Sequence, residues 1–147
     1  MKWYIKKYEE LTKDELYKIL KKRIDVFVVE QNCPYLDIDD KDFDSYHVYL
    51  EDKGDILTYL RVLKPGVSFE EVSIGRVLVK KDSRGLGLGK ELMKMAIKFI
   101  LDELEYDTIR ISAQEYLLKF YKDLEFKENS NVYLEDGIPH VEMIFSR

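Results

Sequence analysis

Hydrophobic positions change their period several times along the chain, and each change marks an element. Trp3-Tyr4-Ile5 followed by Tyr8 predicts a first strand. Thr12-Lys13-Asp14-Glu15 has the form of a capping box, in which the Thr hydroxyl meets one free amide while Glu15 reaches back to another. Apolar residues at 16, 19, 20, 24, 27 and 28 then recur at helical spacing and predict a helix of about four turns running toward Glu30. Pro34 cannot continue it. Tyr46, Val48 and Leu50 alternate, Ile56, Tyr59 and Val62 do so less strictly, and Lys53-Gly54-Asp55 between them reads as a hairpin turn. Pro65-Gly66 turns the chain again, ahead of a β-branched strand from Val72 to Val79. Leu88, Leu92, Met95, Ala96, Phe99 and Ile100 share one broad helical face, widened by Met93, Ile97, Leu101 and Leu104. Thr108 to Ala113 predicts a strand and Tyr116 to Lys122 a short helix; Val132-Tyr133-Leu134 and Val141 to Phe145 form a last strand pair bridged by residues 135–140. The order β-α-β-β-β-α-β-α-β-β implies an α/β (α+β) domain whose sheet is partly antiparallel and covered by helices.

Length and charge narrow the class. The 147 residues suit one domain, residues 1–147. With 24 Lys+Arg against 29 Asp+Glu the net charge is −5, which disfavours nucleic acid as a partner. No apolar run approaches the roughly 18 residues that span a bilayer. Lysines at 2, 6 and 7 interrupt the N-terminus where a secretory segment would be apolar. The expectation is a soluble cytoplasmic protein with no membrane partner. Cys33 is the one cysteine, which excludes an intramolecular disulfide, and with only two histidines no metal site is expected. Aspartates at 37, 39, 40, 42 and 44 predict a solvated loop. Asp40, Asp42, Asp44 and Glu51 fall at positions 1, 3, 5 and 12 of a calcium-binding loop. Ser45 stands where that loop needs glycine, and residues 46–50 alternate as a strand, so the match is coincidental.

Arg84-Gly85-Leu86-Gly87-Leu88-Gly89-Lys90 carries the chemistry. A strand, then glycines, then a helix start is a device for holding phosphate, because glycine lets the backbone approach and the first helical amides lack internal partners. A nucleotide-hydrolase loop would need Ser or Thr after Gly89-Lys90, where Glu91 stands, so its magnesium ligand is missing. A dinucleotide fingerprint starting at Gly85 would need a third glycine at Lys90. The pattern R-x-x-G-x-G is met by Arg84, Gly87 and Gly89, and with the approach Val77-Leu78-Val79 it resembles the pyrophosphate loop of the GNAT family of acyl-CoA-dependent N-acetyltransferases. A second segment, Gln114 and then Phe120-Tyr121-Lys122-Asp123-Leu124-Glu125-Phe126, resembles that family's strand-end amide and its FY-x-x-x-GF helix. Glu125 stands where the family has glycine, at a helix exit that favours a left-handed residue by about 1 kcal/mol. Residues 23–35, His47 and residues 135–140 resemble the ElaA-like branch of the family.

That resemblance implies a mostly antiparallel sheet of six to seven strands covered by helices on both faces, and acetyl-CoA as cosubstrate. It implies acetyl transfer to a primary amine of a small molecule or peptide, by direct attack through a tetrahedral intermediate. Val77, Leu78 and Val79 would hold the pantetheine arm, and amides from Arg84, Gly85, Leu86, Gly87, Leu88, Gly89 and Lys90 the diphosphate, with Gln114 beside them. Tyr121 matches the general acid, since a phenol stays protonated at neutral pH. Glu30 and His140 are the candidate bases. Arg23 reads as a helix-surface charge or the partner of an aspartate, His47 as a packing or hydrogen-bonding residue, and Cys33 as a small buried hydrophobe. The aspartate loop could line the amine entrance and attract a cation. Two other functions stay open: a CoA-binding or protein-interaction module without turnover, and an acyltransferase like the acyl-homoserine-lactone synthases. The last strands could also pair across a homodimer.

Overall fold

A computed structural model describes residues 1–147. Its strands are β1 (Lys2–Lys7), β2 (Ser45–Asp52), β3 (Asp55–Leu63), β4 (Ser73–Val79), β5 (Thr108–Gln114), β6 (Lys127–Glu128), β7 (Tyr133–Glu135) and β8 (Ile138–Ser146). The α-helices are α1 (Lys13–Arg23), α2 (Leu88–Lys98) and α3 (Leu118–Lys122). Eight strands replace the six to seven expected, because Lys127–Glu128 adds a two-residue strand that the hydrophobic pattern does not mark. They form two antiparallel half-sheets, one in the order β1-β2-β3-β4 and one in the order β5-β8-β6 with β7 also on β8.

Side-chain alternation assigns each face its helix. Val48 on β2 and Leu60 and Val62 on β3 face α2, packing with its Leu92, Met93 and Ala96 and with Ile100 beyond it. Their neighbours Tyr49 and Tyr59 point the other way, and with Ile56 they meet Ile19 of α1. All of these are buried, and each large aliphatic side chain among them contributes about 1.5–3 kcal/mol by leaving water. Ile56 and Tyr59 share a face at a spacing of three because the strand pairing slips at Leu50/Glu51. A bulge there absorbs one residue and restores the alternation.

Helix α1 starts as the sequence predicts: Thr12 accepts from the Glu15 amide at 3.1 Å and Glu15 accepts from the Thr12 amide at 2.8 Å. The helical run does reach Glu30, but from Ile24 it widens to a π-helix, whose i+5 bonds persist in Gln31 N–H to the Val26 carbonyl (3.3 Å) and Cys33 N–H to the Val28 carbonyl (3.0 Å). No helix is long and apolar enough to cross a membrane.

The aspartate loop is not the solvated segment expected. Asp37 and Asp42 are buried, and so is Arg23, which lies in the interior rather than on the helix surface. Arg23 bonds Asp37 (3.0 Å) and Asp42 (2.6 Å), Arg61 bonds Asp42 (3.0 Å) and Asp39 (2.6 Å), and Arg76 bonds Asp37 (2.9 Å) and Asp39 (3.3 Å). Buried charges persist only when paired in this way. The carboxylates of Asp37, Asp39 and Asp42 are therefore committed to arginines, and the role of attracting a cationic amine does not hold for them. His47 sits beside this network, fully buried, with Nδ1 on the Tyr59 hydroxyl (2.7 Å) and Nε2 on the Asp42 carbonyl (3.1 Å).

Candidate active site

Strands β4 and β5 pair only where they begin. Val72 bridges Ile109 in parallel, the Arg110 amide donates to the Val72 carbonyl at 3.1 Å, and past that point the half-sheets part. The opening is a cleft of about 1000 Å³. Strand β4 bends at its rim: its pairing with β3 jumps from Arg61↔Gly75 to Tyr59↔Leu78, and Arg76 takes a left-handed φ of 52°. Such a bulge interrupts the ladder and turns the following residues, here Val77, Leu78 and Val79, along the cleft wall. The Arg76 side chain, held by Asp37 and Asp39, fixes the strained residue in place.

The glycine turn closes one end of the opening. Gly85 (φ 83°) and Gly87 (φ 78°) are left-handed, a conformation that costs other residues about 1 kcal/mol or more. Gly87 caps α2 without a side-chain bond, and the first intrahelical bond is the Glu91 amide to the Gly87 carbonyl at 3.2 Å. The amides of Gly85, Leu86, Gly87, Leu88, Gly89 and Lys90 consequently have no partner in the protein. A Cβ on Gly89 would lie 3.4 Å from Val79 and 3.7 Å from Phe120, so the turn, the end of β4 and α3 converge there. Consecutive free amides at a helix N-terminus suit a diphosphate, and the cleft beside them suits an extended arm.

Arg84 folds back over this end. Its Nε donates to the Val79 carbonyl (2.9 Å), and its two terminal nitrogens hold both oxygens of Glu30 at 2.6 and 2.9 Å. The hydrogen bonds from Arg84 keep the Glu30 carboxyl below its ordinary range, and Arg84 is held above its own.

On the opposite wall Tyr121 is buried, with its ring edge-on to Phe120 and Phe126. Burial raises its phenol above the ordinary value. Helix α3 ends in a Schellman motif: Phe126 N–H bonds the Tyr121 carbonyl (3.1 Å), and Glu125 N–H bonds the Lys122 carbonyl (2.9 Å). Glu125 adopts φ 73° at the position where the family has glycine, so the helix exit keeps its geometry without that residue. His140, also buried, lies opposite Gln114 in the β5–β8 register. Its Nδ1 meets the Ile138 carbonyl at 2.7 Å, and its Nε2 lies 3.5 Å from Glu135.

Of the residues singled out from sequence, Val77, Leu78, Val79, Arg84, Gly89, Gln114, Tyr121, Glu30 and His140 line the cleft. Gly85, Leu86, Gly87, Leu88 and Lys90 belong to the turn at its end rather than its lining. Cys33 is half-exposed rather than buried and sits on the cleft rim, its thiol 3.5 Å from the Asp136 carbonyl. Sequence reasoning missed Ser112, Tyr133 and Glu135, which line the cleft beside His140. A signal for Ser112 was present: β5 alternates apolar Ile109, Ile111 and Ala113 with polar Arg110, Ser112 and Gln114, a polar face next to the parted sheet.

Residues 10–147 match the family model described as an acetyltransferase (GNAT) domain. Protein ElaA of Escherichia coli is 37% identical over 145 residues, 97% of this chain and 95% of that protein. Its crystal structure superposes with a TM-score of 0.92 at 36% identity, over 99% of this chain and 100% of that one. An acyl-CoA N-acyltransferase from Pseudomonas aeruginosa superposes at 0.93 with 38% identity, over 99% of this chain and 100% of its own. A CoA-dependent acyl-homoserine lactone synthase, BjaI, reaches 0.80 over 98% of this chain and 82% of its own; at 16% identity that likeness shows the fold alone. The parted half-sheets, the glycine turn with its free amides and near-full-length likeness agree: the chain belongs to the GNAT acetyltransferase family, on its ElaA-like branch.

Proposed function

We propose that this protein is an acetyl-CoA-dependent N-acetyltransferase that acts on a primary amine by direct transfer. The observation that carries the reading is the row of six partnerless amides, Gly85 to Lys90, at the end of the parted β4–β5 cleft. These amides would hold the diphosphate, the rim of β4 from Val77 to Val79 the pantetheine arm, and Gln114 would face it from β5. When bound, acetyl-CoA supplies an acetyl group already activated as a thioester.

The protein's own groups then have three tasks. Backbone amides at the β4 bulge would polarise the acyl carbonyl, where a preorganised donor contributes several kcal/mol. Tyr121 presents an O–H that burial keeps protonated, so it can donate to sulfur as negative charge develops there. His140 takes a proton from the amine at Nε2, because a carbonyl only accepts and the Ile138 contact therefore keeps the ring hydrogen on Nδ1. Glu30 is less suited to that task, since Arg84 occupies both its oxygens and lowers its basicity. The test is thiol release from acetyl-CoA across a panel of primary amines, with Tyr121→Phe beside the parent. Turnover in the parent, and its loss in a variant that still binds coenzyme A, is the expected result. Binding without turnover on any amine would leave only a CoA-binding module.

A further inference from the structure

We propose that Ser112, Tyr133, Glu135 and His140 form a socket for the primary ammonium group of the acceptor, in which the Glu135 carboxylate receives its charge and His140 Nε2 its proton. The proposal deepens the acetyltransferase reading and rests on it for the transfer step.

His140 Nδ1 carries its hydrogen toward the Ile138 carbonyl at 2.7 Å, so Nε2 of the neutral ring is a bare lone pair. Ser112 Oγ donates to Glu135 Oε1 at 3.0 Å. A hydroxyl has one hydrogen, so in the contact between Tyr133 and Ser112 it is Tyr133 that donates. Every internal donor of the cluster is thus used, Tyr133 on Ser112 Oγ, Ser112 on Glu135 Oε1 and His140 Nδ1 on the backbone. What remains are two acceptors, Glu135 Oε2 and His140 Nε2, facing each other at 3.5 Å. Two acceptors so placed call for a guest with at least two N–H bonds and a positive charge. A primary ammonium has three such bonds; a quaternary ammonium has none.

Charge leads to the same group. Of the glutamates lining the cleft, Glu30 is held by Arg84 at 2.6 Å and Glu142 by Arg110 at 2.8 Å. Glu135 has no lysine or arginine partner; His140 is its one neighbour of opposite potential sign. The Tyr133 ring stacks on the imidazole at 6.2 Å and fixes its plane, so Nε2 is presented rather than free to turn away. The protons balance. Of the three on the ammonium nitrogen, one passes to His140 and leaves to solvent, one replaces the proton that Tyr121 gives to sulfur, and one stays on the product amide. The N–C bond forms as the C–S bond breaks.

The chain has only two histidines, and the other, His47, is fully buried on the far side of β3, which makes imidazole NMR a direct readout. Butylammonium titrated into the protein without acetyl-CoA should shift the His140 Nε2 signal saturably and leave His47 in place. Butyltrimethylammonium should leave both unmoved. Glu135→Gln should weaken the butylammonium response by about tenfold or more, the loss expected for one charge-assisted hydrogen bond, with the His47 signal certifying the fold. In turnover the same variant should raise KM for the amine by more than it lowers kcat. Equal responses to the two ammonium ions, an unchanged affinity in Glu135→Gln, or a His140 ring already doubly protonated and paired with Glu135 at neutral pH would overturn the socket. A parallel coenzyme A titration separates the two claims: binding of coenzyme A with no amine response refutes the socket alone, and the reverse pattern refutes the acetyltransferase reading.

Discussion

His140 and Glu30 are both polar side chains at one cleft, and their partners give them opposite characters. Arg84 grips both oxygens of Glu30, whereas His140 keeps one nitrogen uncommitted to any donor. With His140 as the proposed base, whose removal typically costs 10²–10⁴-fold, His140→Gln should lower kcat by about a hundredfold. Glu30→Gln should lower kcat far less, and a loss as large there would move the base to Glu30. His47 carries a different prediction. Burial holds its imidazole below the ordinary 6.5, so the folded state keeps it neutral while the unfolded chain takes up a proton. Its contribution to stability is complete above 6.5 and is lost as pH falls below that value. Denaturant midpoints measured from pH 7.5 to 5 should fall in the parent and fall less in His47→Gln; parallel curves would contradict this.

Elements show where sequence patterns stop being informative. The capping box of α1, the β2–β3 hairpin and the α2 face were legible because each depends on contacts a few residues apart. The widening at Ile24, the bulge at Arg76 and the two-residue strand at Lys127 were not. Arg76 is held by Asp37 and Asp39 and Lys127 is paired with Ile144, all distant in the chain, while the i+5 bonds after Ile24 leave no mark in the spacing of apolar residues. The glycine turn and Tyr121 were legible for their residue types, while the Ser112–Tyr133–Glu135 cluster comes together only once β7 and β5 flank β8. The exit of α3 yields a quantitative check. Glu125 holds φ 73° in a Schellman turn, so Glu125→Gly should stabilise the protein by about 0.5–1 kcal/mol in urea unfolding. A destabilised variant would mean that the Glu125 side chain supplies something the exposed turn does not show.

Across the whole molecule, two half-sheets joined at one end make the cleft, and a charge network on α1, β3, β4 and the aspartate loop braces the rim of β4. Arg23, Arg61 and Arg76 interleave with Asp37, Asp39 and Asp42, so removing one partner strands buried charge. Asp37→Asn should cost about 3–5 kcal/mol and, by freeing Arg76, weaken cofactor binding in whatever fraction stays folded. A stability change below about 1 kcal/mol would show the network to be dispensable. That the partnerless amides on the other side of the cleft hold a diphosphate is the proposal on which the function rests. Calorimetric titration of the protein with coenzyme A, repeated with pantetheine, tests it most directly. Saturable one-site binding of coenzyme A, at least about tenfold tighter than pantetheine, is the predicted result. No heat with coenzyme A, or equal affinity for both, would contradict it.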